Sequence, residues 1–423
     1  MKLIIIGAGP GGYETAVEAA KKGIEVVLIT DGLLGGTCLN EGCIPTKTLV
    51  RWAEAGEPLE RIQQRKEQVV TQLRNGIEFL MKSPLITLVH GHASFVADDR
   101  VRIDQTGEEY GGCPIIIATG SSSAALPIPG AELCITSKEM LEMTETPKEL
   151  CVIGGGVIGL EFAGIFNRLG CHVTVLEYCK QILPRFDTDL CKRLRQSLAK
   201  QGIDIKTGVG VTSIEKDGDR LVAKSESAQV VADKVLMAVG RRANVGGIGL
   251  ENTSIGYSNR GIVVDGNMQT NVPGVYAIGD VVGGMMLAHV ATFQGRRAIN
   301  HLLGLTDRIR FDIVPAAVFT TPEAATVGLT EEDCKAKGIG YKAYKSFFRA
   351  NGKAVSMGET DGYCKLLADD TTDLILGAHI FGPHSSDMIH EVAVMMNLGA
   401  TTQDLRDIIH AHPTLSEVIL STV

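Results

Sequence analysis

Two cysteines, Cys38 and Cys43, lie in the run Gly35-Gly36-Thr37-Cys38-Leu39-Asn40-Glu41-Gly42-Cys43-Ile44-Pro45-Thr46-Lys47. A Gly-rich turn precedes them, and Pro45 and Lys47 open a helical pattern after them. The unpaired N–H groups of a helix start acidify a nearby thiol, and the thiolate is the reactive form. The spacing therefore reads as a redox-active dithiol, exchanging two electrons as an S–S bond is made and broken. Cys113, Cys134, Cys151, Cys171, Cys179, Cys191, Cys334 and Cys364 show no metal-ligand spacing and read as small buried hydrophobes or inert thiols.

Thiol–disulfide exchange needs a base that accepts a thiol proton near neutral pH, and histidine titrates in that range. Two histidines, His410 and His412, stand close to the C-terminus, with Glu417 five residues past His412 and Pro413 between. A carboxylate on the second ring nitrogen would orient the imidazole and stabilise its cation. A metal site at His410 and His412 has no third ligand at sensible spacing. Lys47 follows the dithiol by one helical turn, where a cation would stabilise negative charge on a reduced cofactor.

Two copies of one pattern must position these groups. The first is an apolar strand Leu3 to Ile6, then Gly7-Ala8-Gly9-Pro10-Gly11-Gly12, a helix to about Lys22, and a strand Glu25 to Ile29. The second is Cys151 to Ile153, then Gly154-Gly155-Gly156-Val157-Ile158-Gly159, a helix to about Leu169, and His172 to Leu176. Each is GxGxxG in a strand–turn–helix setting. The first Gly (Gly7, Gly154) makes the tight turn, and the second (Gly9, Gly156) admits a pyrophosphate against the backbone. The third (Gly12, Gly159) lets helix pack on strand. An acid ending the next strand binds the adenosine ribose. In the second copy Glu177, 23 positions after Gly154, fits, and its charge favours NAD over NADP. In the first copy the same offset falls on Thr30, and Asp31 comes one residue later; either side chain is within reach of a ribose. Glu161 stands in the second fingerprint helix among Gly and apolar residues, where an unpaired charge is costly.

The chain of 423 residues accommodates several domains, and 44% hydrophobic and 21% charged residues suit a globular protein. A net charge of −8 argues against a nucleic-acid partner. No run approaches the ~18 apolar residues of a membrane span. No presequence precedes the first strand, so a cytoplasmic location is expected. The stretch from Thr48 to Lys82 is helical by period, interrupted at Pro58, and Leu85 to Ile103 reads as strands. Residues 121–129 read as a linker and 270–280 as a strand ending in an acid. Beyond about Asp312, strands alternate with amphipathic helices without glycine fingerprints.

These features resemble the dihydrolipoamide dehydrogenases, members of the flavin disulfide reductases. The match rests on GGTCLNEGCIPTK, the paired fingerprints, Ala118-Thr119-Gly120, TNVPGVYAIGD and His410-Ala411-His412-Pro413-Thr414-Leu415-Ser416-Glu417, and it covers nearly the whole chain. The resemblance implies an α/β fold of two Rossmann-like domains binding FAD and NAD(P), plus a C-terminal α+β dimerisation domain. It divides the chain into 1–124 (FAD-binding, first part), 125–243 (NAD-binding), 244–311 (completing the FAD domain) and 312–423 (interface). It implies a homodimer that uses FAD and NAD and acts on a lipoyl domain or carrier protein of a 2-oxoacid dehydrogenase or glycine cleavage system.

The resemblance also implies roles. Cys43 faces the flavin and Cys38 is the interchange thiol. Gly36 and Thr37 belong to the FAD-binding run, and Lys47 pairs with Glu161 beside the flavin. Asp280 holds the ribityl chain, and Ala93 and Ala288 line FAD through their backbone. Gly240 and Arg241 lie near the nicotinamide half of the NAD site. His412, rather than His410, is the base, oriented by Glu417 and reaching the thiols of the other subunit. Mercuric reductases would add a C-terminal cysteine pair, and glutathione reductases would need cations where Glu177 stands; neither is found. Three departures mark this chain: Thr30 at the expected acid position, a short helical stretch after Lys47, and only six residues after Glu417. A related reductase acting on another small disulfide is the alternative.

Overall fold

A computed structural model describes residues 1–423. The first fingerprint belongs to a five-stranded parallel sheet. Its strand order is Val275–Ala277, Ile115–Ile117, Lys2–Ile6, Glu25–Thr30 and Ile86–His90. Its central strands read Leu3-Ile4-Ile5-Ile6, Val26 to Ile29 and Ile115 to Ile117, all buried. Near-continuous apolar runs are what a sheet covered on both faces requires. Helices Pro10–Lys21 and Ala288–Leu302 pack against one another and against this sheet.

The second fingerprint lies in a four-stranded parallel sheet, ordered Asp204–Thr207, His172–Glu177, Glu149–Ile153 and Lys234–Met237. Helices Val157–Arg168 and Thr188–Lys200 pack on it, with Phe162 and Phe166 fully buried. Each such side chain contributes roughly 1.5–3 kcal/mol of burial free energy. The C-terminal region is an antiparallel sheet, ordered Ala316–Val318, Glu323–Gly328, Ile375–Gly382, Tyr363–Asp369 and Tyr341–Phe347, packed against helix Ser385–Leu398. The architecture is thus α/β with a C-terminal α+β unit. No helix is long and apolar enough to cross a membrane.

Two local readings change. The stretch read as a linker begins with a strand, Ser121–Ser123, paired antiparallel with Arg241–Ala243. Three serines carry no hydrophobic period, so only the partner creates that strand. The stretch read as one strand over 270–280 is a strand only at Val275–Ala277: a turn closed by Val275 N–H on the Val272 carbonyl, with Gly274 at φ 81°, precedes it, and Gly279, at φ 73°, turns the chain into a 3₁₀ turn over Gly279–Val282. The helical stretch after Lys47 divides into Cys43–Glu54 and Leu59–Leu80, broken at Gly56 and Pro58.

Candidate active site

The two fingerprints are built alike. A Cβ on Gly7, at φ 103°, would lie 2.3 Å from the Ala118 carbonyl oxygen, and one on Gly154, at φ 109°, 2.4 Å from that of Ala238. A Cβ on Gly12 would meet the Gly7 oxygen at 1.8 Å, and one on Gly159 the Gly154 oxygen at 2.0 Å. The protein itself thus demands glycine at the first and third positions. At Gly9 and Gly156 a Cβ would meet no protein atom within 4 Å. Both line the central cleft, where the absence of a side chain leaves the backbone open to a ligand.

That cleft is continuous, about 2980 Å³, and is lined by both fingerprint loops, the dithiol, Asp280 and Glu177. A usual ligand pocket is ~300–1,000 Å³, so this one has room for two large cofactors. Helices starting at Pro10, Cys43, Val157 and Ala288 all begin at it, and none has a side-chain N-cap. Free N–H groups at such ends suit the phosphates of FAD and NAD. The residues present therefore fit both dinucleotides.

The dithiol loop sits on the first fingerprint. Gly36, at φ 54°, packs so closely that a Cβ there would come 2.6 Å from Gly9 Cα. Gly35 N–H donates to the Ala8 carbonyl at 2.9 Å. Cys38 lies on the short helix Gly36–Asn40 and Cys43 opens the helix Cys43–Glu54. Both are free thiols, and both line the cleft. The neighbouring Cys43 thiol, with burial, pushes Cys38 far up. The neighbouring Cys38 thiol is also the largest influence bringing Cys43 down to about 7, followed among the favourable ones by the charge of Lys47. Cys43 is crowded by protein yet keeps accessible surface because it faces the cleft. Of the two, Cys43 is thus the thiol that ionises more readily.

Lys47 donates to both Glu161 oxygens, at 3.0 and 2.8 Å. Glu161 is 3% exposed, and Lys47 relieves the cost of that burial. This contact joins the dithiol helix to the second fingerprint helix.

The acid positions diverge. Glu177 is buried, with one oxygen accepting from Gly155 N–H at 2.6 Å and the other from Cys179 N–H at 2.6 Å. Each oxygen keeps a lone pair for a ribose hydroxyl. Thr30 is buried and its hydroxyl is bonded locally to the backbone of Gly32. Asp31 is 62% exposed and binds His92 Nδ1 at 2.7 Å. Its carboxylate, the main influence, raises the His92 pKa.

Asp280 accepts from the Ser121 hydroxyl. Arg241 donates to Ser121 Oγ at 2.7 Å and to its carbonyl at 2.6 Å, and its Nε lies 3.9 Å from the Asp280 carboxylate. The Arg241 guanidinium is thus engaged at the strand end carrying Asp280, through the Ser121–Ser123 pairing. Ser121 was not singled out from sequence, and nothing local marks it. Gly240, at φ 115°, lines the cleft beside it. Thr119 exchanges hydrogen bonds with Asn244, at 3.0 Å each way. Ala288 starts its helix at the cleft, and Thr37, Ala118 and Gly120 line it. Ala93 is buried and pairs with Ile103 in an antiparallel sheet behind it.

His412 Nδ1 lies 2.9 Å from Glu417 Oε1, and Glu417 Oε2 accepts from Thr414 N–H at 2.8 Å. The backbone bond, then His412, holds Glu417 below the usual carboxylate range. His412 is 77% exposed and is not part of the lining of the cleft that holds the thiols of its own chain. His410 is occupied by Glu391, at 2.7 Å.

Comparison with known proteins gives a consistent picture. The family described as pyridine nucleotide-disulphide oxidoreductase matches residues 1–295, and the dimerisation domain of that family matches 314–423. The chain is 39% identical to a dihydrolipoyl dehydrogenase of Chlamydia muridarum, over 98% of this chain and 94% of that protein. It is 40% identical to one of Bacillus subtilis, over 99% and 96%. Among solved structures, the HOCl-induced flavoprotein disulfide reductase RclA from Escherichia coli superposes with a TM-score of 0.94 at 34% identity, covering 100% of this chain and 99% of that one.

Proposed function

Because the chain belongs to the pyridine nucleotide-disulphide oxidoreductases, we propose that it oxidises protein-bound dihydrolipoamide at Cys38 and Cys43 and reduces NAD⁺. It is a flavoprotein oxidoreductase that uses FAD and NAD, and its C-terminal domain serves homodimerisation. The observation that carries the reading is the dithiol loop seated on the first fingerprint, with Cys43 acidified beside the Lys47–Glu161 pair.

The steps of the dithiol derive from the residues. A substrate thiolate attacks Cys38 in the oxidised pair, and Cys43 leaves as the thiolate. The second substrate thiol then attacks the mixed disulfide, releasing lipoamide, and Cys38 takes a proton. His412, held by Glu417, accepts the proton from the substrate thiol, serving the thiols of the other subunit in the dimer. Bound FAD supplies the two-electron relay that reoxidises the dithiol as NAD⁺ becomes NADH. Gly7, Gly9, Gly12, Asp280 and Ala288 are assigned to FAD, and Gly154, Gly156, Gly159 and Glu177 to NAD. We assign residues 1–124 and 244–311 to the FAD domain, 125–243 to the NAD domain and 312–423 to the interface. A lipoyl domain or lipoyl carrier protein of a 2-oxoacid dehydrogenase or glycine cleavage system is the proposed partner. A cytoplasmic setting is supported by the cysteines outside the dithiol, all of them free thiols.

The likeness to RclA along the whole chain favours a second reading, in which NADH reduces another small disulfide. Steady-state turnover of the holoenzyme decides between them. Dihydrolipoamide with NAD⁺ and NADP⁺ is compared with glutathione and other dithiols, and NADH with lipoamide and other disulfides. A kcat/KM preference of at least about tenfold for dihydrolipoamide and NAD⁺ supports the first reading. Faster turnover of another disulfide supports the second, and no turnover of any dithiol or disulfide overturns both.

A further inference from the structure

Phe319 comes directly after strand Ala316–Val318 of the C-terminal sheet and lines the cleft. Its ring centroid lies 4.6 Å from Lys47 Nζ, and its backbone N–H donates to Glu161 Oε1 at 3.1 Å. Lys47 therefore contacts a carboxylate from the NAD-side helix and an aromatic ring from the interface region. Its side chain is 32% exposed, so water competes for the ammonium, and the carboxylate alone leaves several lysine rotamers open. An aromatic ring attracts a cation through its quadrupole and occludes the space into which the ammonium would swing.

We propose that Phe319 is a positioning residue that fixes the Lys47 ammonium beside the dithiol and so tunes the acidity of Cys43. The proposal rests on the dithiol reading above. The groups facing Cys43 are Cys38, Lys47 and Glu161: the neighbouring Cys38 thiol and the charge of Lys47 favour the thiolate, and Glu161 opposes it. A Lys47 held by the ring stays close to the thiolate; a released one spends time in solvent. Phe319 lies outside the chain's first 295 residues, so this acidity depends on docking of the C-terminal region.

The test is the pH profile of Cys43 alkylation in the dithiol-reduced full-length protein, read by peptide mass with a small neutral reagent. Phe319→Leu keeps the backbone bond to Glu161 and removes the ring. It is expected to raise the midpoint by about half a pH unit, an approximately threefold loss of thiolate below the midpoint. Phe319→Tyr restores the parent profile. Should Phe319→Leu fold poorly, a site-specific trifluorinated phenylalanine keeps the ring and weakens its quadrupole, and the same upward shift is expected. A Phe319→Leu or fluorinated profile that overlays the parent, or a Phe319→Tyr profile shifted as far as Phe319→Leu, overturns the proposal. Lipoamide turnover, measured separately, reports on the functional reading without bearing on this profile.

Discussion

The two dinucleotide halves share one backbone solution at the fingerprint and differ at the end of the second strand. In both, the first and third fingerprint glycines are demanded by carbonyl oxygens of the protein, and the second opens onto the cleft. The second half then places Glu177, buried and bonded to Gly155 and Cys179, against its own fingerprint loop. In the first half Thr30 closes a local turn and Asp31 turns outward to His92. There the fingerprint is instead covered by the loop carrying Cys38 and Cys43, with Gly36 against Gly9. The same module thus ends in a buried carboxylate facing its own fingerprint loop in one half and carries a dithiol loop in the other. The proposed assignment of NAD to one and FAD to the other rests on that difference at the end of the second strand.

The largest expected effect separates the chemistry of the halves. Cys43→Ser lowers dithiol oxidation by on the order of 10³-fold or more, because it removes the only acidified thiol. NADH affinity, measured by equilibrium titration, stays unchanged; a parallel loss of NADH binding would break the division of labour.

A second prediction separates glycine that serves the fold from glycine that serves a ligand. Gly159→Ala puts a methyl group into the Gly154 carbonyl and costs several kcal/mol, on the order of ~3. At Gly156 a β-carbon meets no protein atom and φ is −80°, so Gly156→Ala retains its melting temperature. Its KM for NADH rises about tenfold or more. Equal destabilisation of both variants in thermal melts would collapse the distinction.

The third concerns pH. Cys43 is lowered to about 7, so its thiolate is present above that pH and lost below it. Alkylation at Cys43 is expected to be half-maximal near pH 7, with Lys47→Gln shifting the midpoint upward. A parent midpoint in the ordinary range of about 8.5 would remove the acidifying arrangement.

The smallest effect falls on the first half's displaced acid. Asp31→Ala loses only an exposed pair with His92, worth about 0–1 kcal/mol. FAD affinity is expected to change less than about threefold, a fraction of the effect of a ribose-binding acid. A large loss of flavin would restore Asp31 as a ligand.

The strands, the strand–turn–helix order of both fingerprints and the dithiol loop were readable in the sequence because their patterns lie within one supersecondary unit, although the first fingerprint glycines also answer to distant carbonyls at Ala118 and Ala238. Apolar runs require burial, and a glycine at the third fingerprint position is dictated by a carbonyl five residues back. Counting from Gly154 reaches Glu177, since strand length fixes that offset, and there the carboxylate faces its own fingerprint loop. The same count from Gly7 reaches Thr30, whose hydroxyl bonds to Gly32 in a local turn that spacing does not reveal. Lys47 with Glu161 was anticipated only through resemblance, as the two are 114 positions apart.

The sequence alone determined which groups are available: two thiols, two glycine-rich fingerprint turns, a histidine with its carboxylate, and strands apolar enough to be covered on both faces. Tertiary structure decided which of them meet. Ser121 reaches Asp280 across 159 positions, Arg241 reaches Ser121 across 120, and Phe319 reaches Glu161 across 158. The physical reason is that local pattern fixes backbone conformation, whereas side-chain partnership depends on how separate sheets dock, and that is governed by buried surface spread over the whole chain.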